Sequence, residues 1–222
     1  MVMERMDESI IGMMNELSDE DTQPAAIRFG PKGKNRLDVV SKSFITVGEE
    51  RIPMEDKLVL DDLVQIRLPK TFSIMSPEVA ALKYPSERRP SLIYTNETAS
   101  INLAFTYTES KLTESPEQLR AFMDVMKQIL RRTQPLARWQ EEGIREIAGS
   151  HIGFFEFVAP ALDTDIYNLI SFVSLQGRAL LCTFNCTEQE LSDWKQVGWG
   201  IMDSLSIVST ESDENAKGEG NL

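Results

Sequence analysis

Four β-strand patterns follow one another in the second half of the chain, and no other feature limits the fold as strongly. They cover residues 139–147, 151–158, 166–175 and 178–186. The connections between them are Ala148-Gly149-Ser150, a loop at 160–165, and the pair Gln176-Gly177. Such short connections join antiparallel neighbours, because a parallel crossover needs a dozen or more residues. The sequence therefore predicts an antiparallel meander of four strands.

Two helices with clear start signals stand on either side of this meander in the chain. The first starts at Ser115-Pro116-Glu117-Gln118, which combines a capping serine, a first-turn proline and an acidic residue. The second starts at Thr187-Glu188-Gln189-Glu190, a capping box followed by an apolar stripe. Both helices are expected to pack their apolar stripes on the sheet.

The stretch before the first helix supplies the remaining strands. An alternating strand at 64–68 ends at a proline, and a short helix starts at Ser76-Pro77 and stops before Pro85. A hairpin follows, with strands at 91–95 and 100–107. The predicted class is α+β: an antiparallel β-sheet of six or seven strands with helices packed on it, plus an N-terminal extension.

Charge and pattern divide the chain into four parts. Residues 1–24 form an acidic, Met-rich helix, and 25–63 form an extension and linker that includes a small hairpin around Gly48. Residues 64–208 form the α+β domain, and 209–222 form an acidic tail with nothing to bury. Of the net charge of −12, −6 lies in the first part and −3 in the last, which leaves −3 for the rest. The acidity therefore belongs to the two ends.

These properties exclude some classes of partner and favour one compartment. A body near neutrality lacks the cationic field that binds nucleic acid. The chain has no apolar run of about 18 residues, so membrane insertion is not expected, and its acidic start does not resemble a signal peptide. Cys182 and Cys186 lie four apart in one predicted strand, about 13 Å from each other, too far to pair. Two free thiols indicate a reducing compartment, and we expect a cytoplasmic protein.

No group of residues predicts catalysis, a metal or a cofactor. The spacings that bind zinc or calcium are absent, and the single histidine, His151, has no nucleophile or carboxylate motif beside it. The run Gly30-Pro31-Lys32-Gly33-Lys34 departs from the phosphate-loop pattern in its spacing and in the residue that follows. We therefore expect no cofactor, and the sequence favours a binding protein over an enzyme.

One rigid loop concentrates the residue types that are common at interfaces. Two prolines stiffen residues 84–90, which lowers the entropy lost on binding. The predicted binding residues are Tyr84, Glu87, Arg88, Arg89 and Tyr94. The alternative is that an arginine forms a structural ion pair with Glu87 or Glu78 and that the loop is a connector.

The first seventeen residues carry a helical stripe of soft apolar side chains. Its members are Met3, Met6, Ile10, Met13 and Leu17. Methionine-rich stripes adapt to varied surfaces. This stripe is therefore expected to dock on a protein partner or on a neighbouring subunit, and in the second case the chain forms a homodimer. The alternative is a helix that packs loosely on its own domain.

The order of elements resembles the PsbP-like superfamily. The resemblance covers residues 64–208 and rests on LPKTFSIMSPE, KYPSERRP and INLAFTY, followed by a helix on each side of the meander. It implies a non-enzymatic, adaptor or chaperone-like role in which the sheet or its edge presents a surface to another protein. The alternative is a small-molecule carrier or enzyme with a pocket between sheet and helices. Export signals known in this group are not matched here.

The N-terminal stripe gives a first testable prediction. Deletion of residues 1–24 removes all five stripe residues and is expected to abolish partner capture or dimerisation, because the docking surface is lost. Multi-angle light scattering of the full chain and the deletion variant measures the dimer. A monomer of unchanged mass before and after the deletion would refute the role of this segment in dimerisation.

Overall fold

A computed structural model describes residues 37–84 and 89–208. The predicted N-terminal helix and the acidic tail lie outside these residues. The helices are α1 (Leu37–Val40), α2 (Pro77–Lys83), α3 (Pro116–Thr133) and α4 (Leu191–Asp203), the last preceded by a 3₁₀ turn at Glu188–Glu190. The strands are β1 (Phe44–Val47), β2 (Glu50–Val59), β3 (Val64–Pro69), β4 (Ser73–Ile74), β5 (Leu92–Thr95), β6 (Asn102–Lys111), β7 (Arg138–Ile147), β8 (Ser150–Ala159), β9 (Ile166–Leu175), β10 (Arg178–Thr187) and β11 (Ser206–Ile207).

Seven strands form the main antiparallel sheet, in the order β4-β5-β6-β10-β9-β8-β7. The predicted meander is its largest part, because β7, β8, β9 and β10 pair with one another in sequence. The turns that join them have the conformation that two-residue hairpins need, with positive φ at Ala148, Gly149, Gln176 and Gly177. The α+β class and the antiparallel sheet are confirmed.

A second sheet of four strands, in the order β1-β2-β3-β11, was not predicted. Its first two strands come from the segment that the sequence assigned to an extension and linker, and the hairpin around Gly48 is longer than expected. β2 pairs with β3 along its length, from Met54 opposite Pro69 to Val59 opposite Val64. The domain boundary drawn at residue 64 therefore falls between β2 and β3, two strands that pair with each other.

Both faces of the seven-stranded sheet are covered. On one face lie α4 and the small sheet, which share a single apolar cluster with alternate residues of β6, β8, β9 and β10. On the other face α3 covers the meander, and α2 covers Ile93 and Ala104 on β5 and β6. No helix in the described ranges is both long and apolar enough to span a bilayer.

A glycine lets α4 lie directly on the sheet. A Cβ atom at Gly198 would lie 2.5 Å from two ring carbons of Phe184, and Phe184 is fully buried in β10. Such a contact is far shorter than atoms in a close-packed interior tolerate. The sheet and the helix therefore meet here with no space between them.

Two ion pairs fix the ends of α4 to strands of the meander. Near its start, Lys195 pairs with Glu156, a carboxylate that is 2% exposed and accepts a hydrogen bond from the Tyr167 hydroxyl. At its end, Asp203 accepts two hydrogen bonds from the guanidinium of Arg145, one of them 2.9 Å long. Because both carboxylates are buried, each depends on its cation for solvation.

The packing of Gly198 predicts the sign of a substitution. A Gly→Ala change inside a helix ordinarily stabilises it by about 0.5–1 kcal/mol. Gly198→Ala is expected instead to lower the free energy of unfolding by about 1–3 kcal/mol, because the new methyl group meets the ring of Phe184. Chemical denaturation measures the difference, with Gln196→Ala on the exposed side of the same helix as the control. A stabilised Gly198→Ala variant would show that α4 is not seated on Phe184.

The buried ion pair predicts a contrast between two carboxylates. Asp203→Ala leaves the guanidinium of Arg145, whose side chain is 23% exposed, without its partner, and is expected to cost about 3 kcal/mol of stability. Glu109→Ala removes an exposed partner of Arg178, 80% accessible, and is expected to cost less than about 1 kcal/mol. Equal losses in the two variants, measured by urea denaturation, would contradict the anchoring role of Asp203.

Candidate functional site

The helix α2 is held on the sheet by one side and leaves the other side to solvent. Ser76 caps its start by accepting a hydrogen bond from the Val79 amide at 3.3 Å, and Pro77 occupies its first turn. The buried side consists of Ala80 together with the flanking Met75 and Tyr84. The helix has seven residues, so it packs on the sheet through one side and exposes the other.

Two large apolar side chains lie on the exposed side of α2. Val79 and Leu82 are 36% and 69% exposed, and we refer to these two side chains as the α2 surface. Ile74 is 61% exposed but lies on the other face of the sheet, because it pairs with Tyr94. Exposed apolar side chains that occur singly are ordinary, whereas a group of them at one place indicates a contact surface.

A cleft of about 230 Å³ adjoins the α2 surface at the end of the sheet. Its walls come from the end of α2, the β5–β6 turn, the β8–β9 loop and the end of β10. The residues that line it are Lys83, Thr98, Ala99, Ser100, Ala161, Leu162, Asp163, Thr164, Ile166 and Thr187. Leu162, which is 79% exposed, adds a further apolar side chain beside the cleft.

Lys83 is the cation of the cleft. Its ammonium group donates a hydrogen bond to the Ala99 carbonyl. Burial lowers the pKa of Lys83, and the nearby Glu190 carboxylate acts in the opposite direction. An ammonium group that has lost part of its hydration gains more from an anionic partner than a fully exposed one does.

Hydroxyl groups hold the adjoining turn in place. The Ser100 hydroxyl donates to Glu190 at 2.5 Å, and the other oxygen of Glu190 accepts from the amide of Thr187 at 3.1 Å and from its hydroxyl at 2.7 Å. The predicted capping box at Thr187 is thus present, and it ties the β5–β6 turn to the end of β10. These hydrogen bonds hold the wall of the cleft in place without a ligand.

The structure separates the binding residues that the sequence grouped together. Tyr84 is 1% exposed and packs under α2, whereas Tyr94 is 8% exposed, lies on the opposite face of the sheet and has the Lys57 ammonium 5.6 Å from its ring centre. Arg89 is half-buried. Glu87, Arg88 and the N-terminal stripe (Met3, Met6, Ile10, Met13 and Leu17) lie outside the described residues. The binding role of this set stays a prediction.

The exposed residues of the α2 surface and the cleft were not predicted. Val79 and Leu82 stand three apart on a short helix, a spacing that ordinarily marks a buried stripe. The buried residue is Ala80, which shares an apolar cluster with Ile93 and Ala104 of the sheet, whereas Val79 and Leu82 lie on the other side of the helix. Nothing in the sequence marks Leu162 as a site residue, because only the fold brings its loop to the cleft.

The remaining reactive groups have structural explanations. Cys182 and Cys186 are both free and fully buried in β10. Burial raises the pKa of both thiols, to about 12 for Cys186, where Glu190 acts in the same direction. The described residues contain no group of three or more His, Cys, Asp and Glu side chains that could hold a metal.

Comparison with solved structures identifies the fold. No protein-family model matches the sequence, and no curated protein matches it either. The cyanobacterial PsbP of Synechocystis superposes with a TM-score of 0.53 at 12% identity, over 81% of this chain and 100% of that chain. A Pseudomonas aeruginosa protein of unknown function, described as a putative regulator, gives 0.44 at 10% identity over 71% of this chain and 99% of its own. LpqN of Mycobacterium tuberculosis, involved in cell envelope biogenesis, gives 0.43 at 10% identity over 73% and 95%. The chain therefore has the PsbP-like fold that its order of elements predicts.

Proposed function

We propose that this protein is a non-enzymatic protein-binding module, adaptor or chaperone-like, that acts in the cytoplasm and contacts its partner through the α2 surface and the adjoining cleft. The observation that carries the proposal is the pair of exposed apolar side chains, Val79 and Leu82, on the outer side of α2 beside the cleft. The two buried free thiols support the reducing compartment.

The distribution of exposed side chains supports the location of the contact. Among the described residues, the exposed large hydrophobic side chains are Leu58, Ile74, Val79, Leu82, Leu136 and Leu162. Val79 and Leu82 form the α2 surface, and Leu162 borders the cleft beside it. Ile74 lies on the other face of the sheet. Leu58 and Leu136 lie in β2 and in the connection between α3 and β7, and serve as comparisons.

The charges at this surface favour a partner segment that carries both apolar and acidic side chains. Lys83 stands at the junction between Leu82 and the cleft, and Arg89 follows a short distance along the chain. An apolar row that ends in a partly desolvated cation suits a segment in which an apolar residue is followed by a carboxylate. Such a segment would cover Leu82 and Leu162, and its carboxylate would replace the hydration that Lys83 has lost.

The dimensions of the cleft favour a side chain over a whole ligand. Pockets for drug-sized ligands ordinarily enclose about 300–1,000 Å³, and this cleft encloses about 230 Å³. At Gly198 the sheet and α4 are in direct contact, and at Gly153 a Cβ would clash with the Met123 sulfur of α3. The packing at these two points does not support a pocket between sheet and helix there.

The test compares the α2 surface with an equally apolar site elsewhere. Affinity capture from the native organism supplies a candidate partner, which is then purified and titrated against the full chain by calorimetry. Leu82→Glu is expected to weaken binding at least about tenfold, because a buried leucine contributes about 1.5–3 kcal/mol and a tenfold change corresponds to 1.4 kcal/mol. Leu58→Glu, at a leucine 54% exposed, is expected to leave binding unchanged.

Two results would count against the proposal. A partner that binds Leu82→Glu as tightly as the native chain does not use the α2 surface. A small molecule that copurifies with the native chain and is lost on Leu82→Glu substitution would instead support the ligand-carrier alternative.

A further inference from the structure

The cleft beside the α2 surface carries opposite charges on two of its walls. Lys83 lies at the end of α2, and Asp163 lies in the β8–β9 loop on another wall. Lys83 is half-buried, whereas Asp163 is exposed. In the part of the chain that the structure describes, neither side chain forms an ion pair. Both charges are therefore available to a segment that enters the cleft.

The hydroxyl groups that line the cleft donate their protons within the protein. The charged Glu190 side chain only accepts hydrogen bonds, so the Ser100 hydroxyl, 2.5 Å away, donates to it. The Thr98 hydroxyl lies 2.8 Å from the Ser100 oxygen and therefore donates its own proton there. The Thr187 hydroxyl donates to the second Glu190 oxygen at 2.7 Å, and the Thr164 hydroxyl donates to the carbonyl of the next residue at 3.5 Å. Because a hydroxyl group has one proton, these groups face a ligand mainly as acceptors.

Donors and acceptors are thus separated in the cleft. The Lys83 ammonium has three protons and donates one of them to the Ala99 carbonyl, which leaves two for a ligand. On the other walls the available groups are the Asp163 carboxylate and the lone pairs of the Thr98 and Thr187 oxygens. A ligand that satisfies all walls presents an acceptor to α2 and donors to the β5–β6 turn and the β8–β9 loop.

The formal charges around the cleft favour the same kind of ligand. Lys83 is one cation against two carboxylates, Asp163 in the lining and Glu190 behind the Ser100 hydroxyl, so these three side chains have a net charge of −1. A segment that brought only a carboxylate would add to this excess of negative charge. A base close to that carboxylate offsets the excess, because stable interfaces place opposite charges together.

We infer that the cleft recognises a partner segment that carries a basic side chain as well as a carboxylate, with the carboxylate at Lys83 and the base at Asp163. The inference rests on the proposed function and adds a second charged contact to it. An arginine suits the Asp163 side best, because the five N–H donors of a guanidinium group can reach a carboxylate and a neighbouring hydroxyl oxygen together. The cleft then selects the order of the two charges along the segment.

The two charged contacts have different roles in binding. Lys83 has lost part of its hydration, so its contact with a carboxylate forms in a partly dry environment and is broken slowly. Asp163 is exposed, so salt screens its contact, which acts mainly on the rate of association. Loss of the Asp163 contact is therefore expected to appear in the association rate and in its dependence on salt.

The first experiment reverses one acidic side chain at a time in the full chain. Asp163→Lys is expected to weaken binding of the purified partner about tenfold and to reduce the salt dependence of association. Glu114→Lys makes the same change at an exposed acid that follows β6 at the opposite end of the sheet, and is expected to change the affinity less than about twofold. Calorimetry and stopped-flow measurements give the constants, and thermal melting confirms that both variants fold.

An exchange of the two charges tests their order. The double variant Lys83→Glu with Asp163→Lys keeps the net charge of the cleft and reverses its direction. It is expected to bind at least as weakly as Asp163→Lys alone, because both contacts now oppose like charges. A second measurement uses the partner: each of its basic residues is changed to glutamate in turn, and one of these changes is expected to restore binding to Asp163→Lys but not to Glu114→Lys.

Several results would overturn the inference. They are native affinity of the Asp163→Lys variant, equal weakening by Asp163→Lys and Glu114→Lys, native affinity of the double variant, and a partner in which no change of a base restores binding. Leu82→Glu separates these failures from failure of the proposed function. Weakening by Leu82→Glu alone would leave the α2 surface in place and remove the base, whereas weakening by Asp163→Lys alone would leave the cleft as the contact and remove the α2 surface.

Discussion

The central strands of the seven-stranded sheet are apolar on both faces, and the rest of the molecule depends on covering both. In β9, Leu169 and Val173 belong to the cluster under α4, whereas Ile170 and Phe172 belong to the cluster under α3. Antiparallel sheets more often leave one face to solvent. Here α2, α3, α4 and the small sheet act as covers, because an apolar face left open would bind other chains without selection.

The covers meet the sheet by close fit at some points and by charge at others. Gly198 allows α4 to rest on Phe184, and Gly153 allows β8 to approach Met123 of α3. Lys195 and Arg145 supply the cations for the buried Glu156 and Asp203. Buried ion pairs contribute little net stability, but they fix one position because a shifted helix would leave a buried charge unpaired. Rigid covers in turn give the exposed surfaces a fixed shape.

The helix α2 then presents a surface for contacts at one end of the sheet. It covers the sheet with Ala80 and turns Val79 and Leu82 outward, next to Lys83 and the cleft. A contact at this surface gains its energy from apolar area, and Lys83 adds selection by charge.

Much of the fold could be predicted from the sequence, because it depends on local signals. The capping residues at Ser76, Ser115 and Thr187 fix where helices begin, and the two-residue turns at Ala148-Gly149 and Gln176-Gly177 force neighbouring strands to be antiparallel. Those signals act through bonds between residues a few positions apart. The predicted buried, unpaired thiols follow from the same strand pattern.

Tertiary packing alone decided the rest. The small sheet needs Val64 of β3 to meet both Val59 and the late strand β11, and that second contact joins residues more than a hundred positions apart. Leu82 is exposed because α2 packs on the sheet through Ala80, and Tyr84 is part of the core although the loop that it starts suggested an interface. The chemistry of a residue makes it suitable for a core or for a surface. Which of the two it occupies depends on the segment from elsewhere in the chain that packs against it.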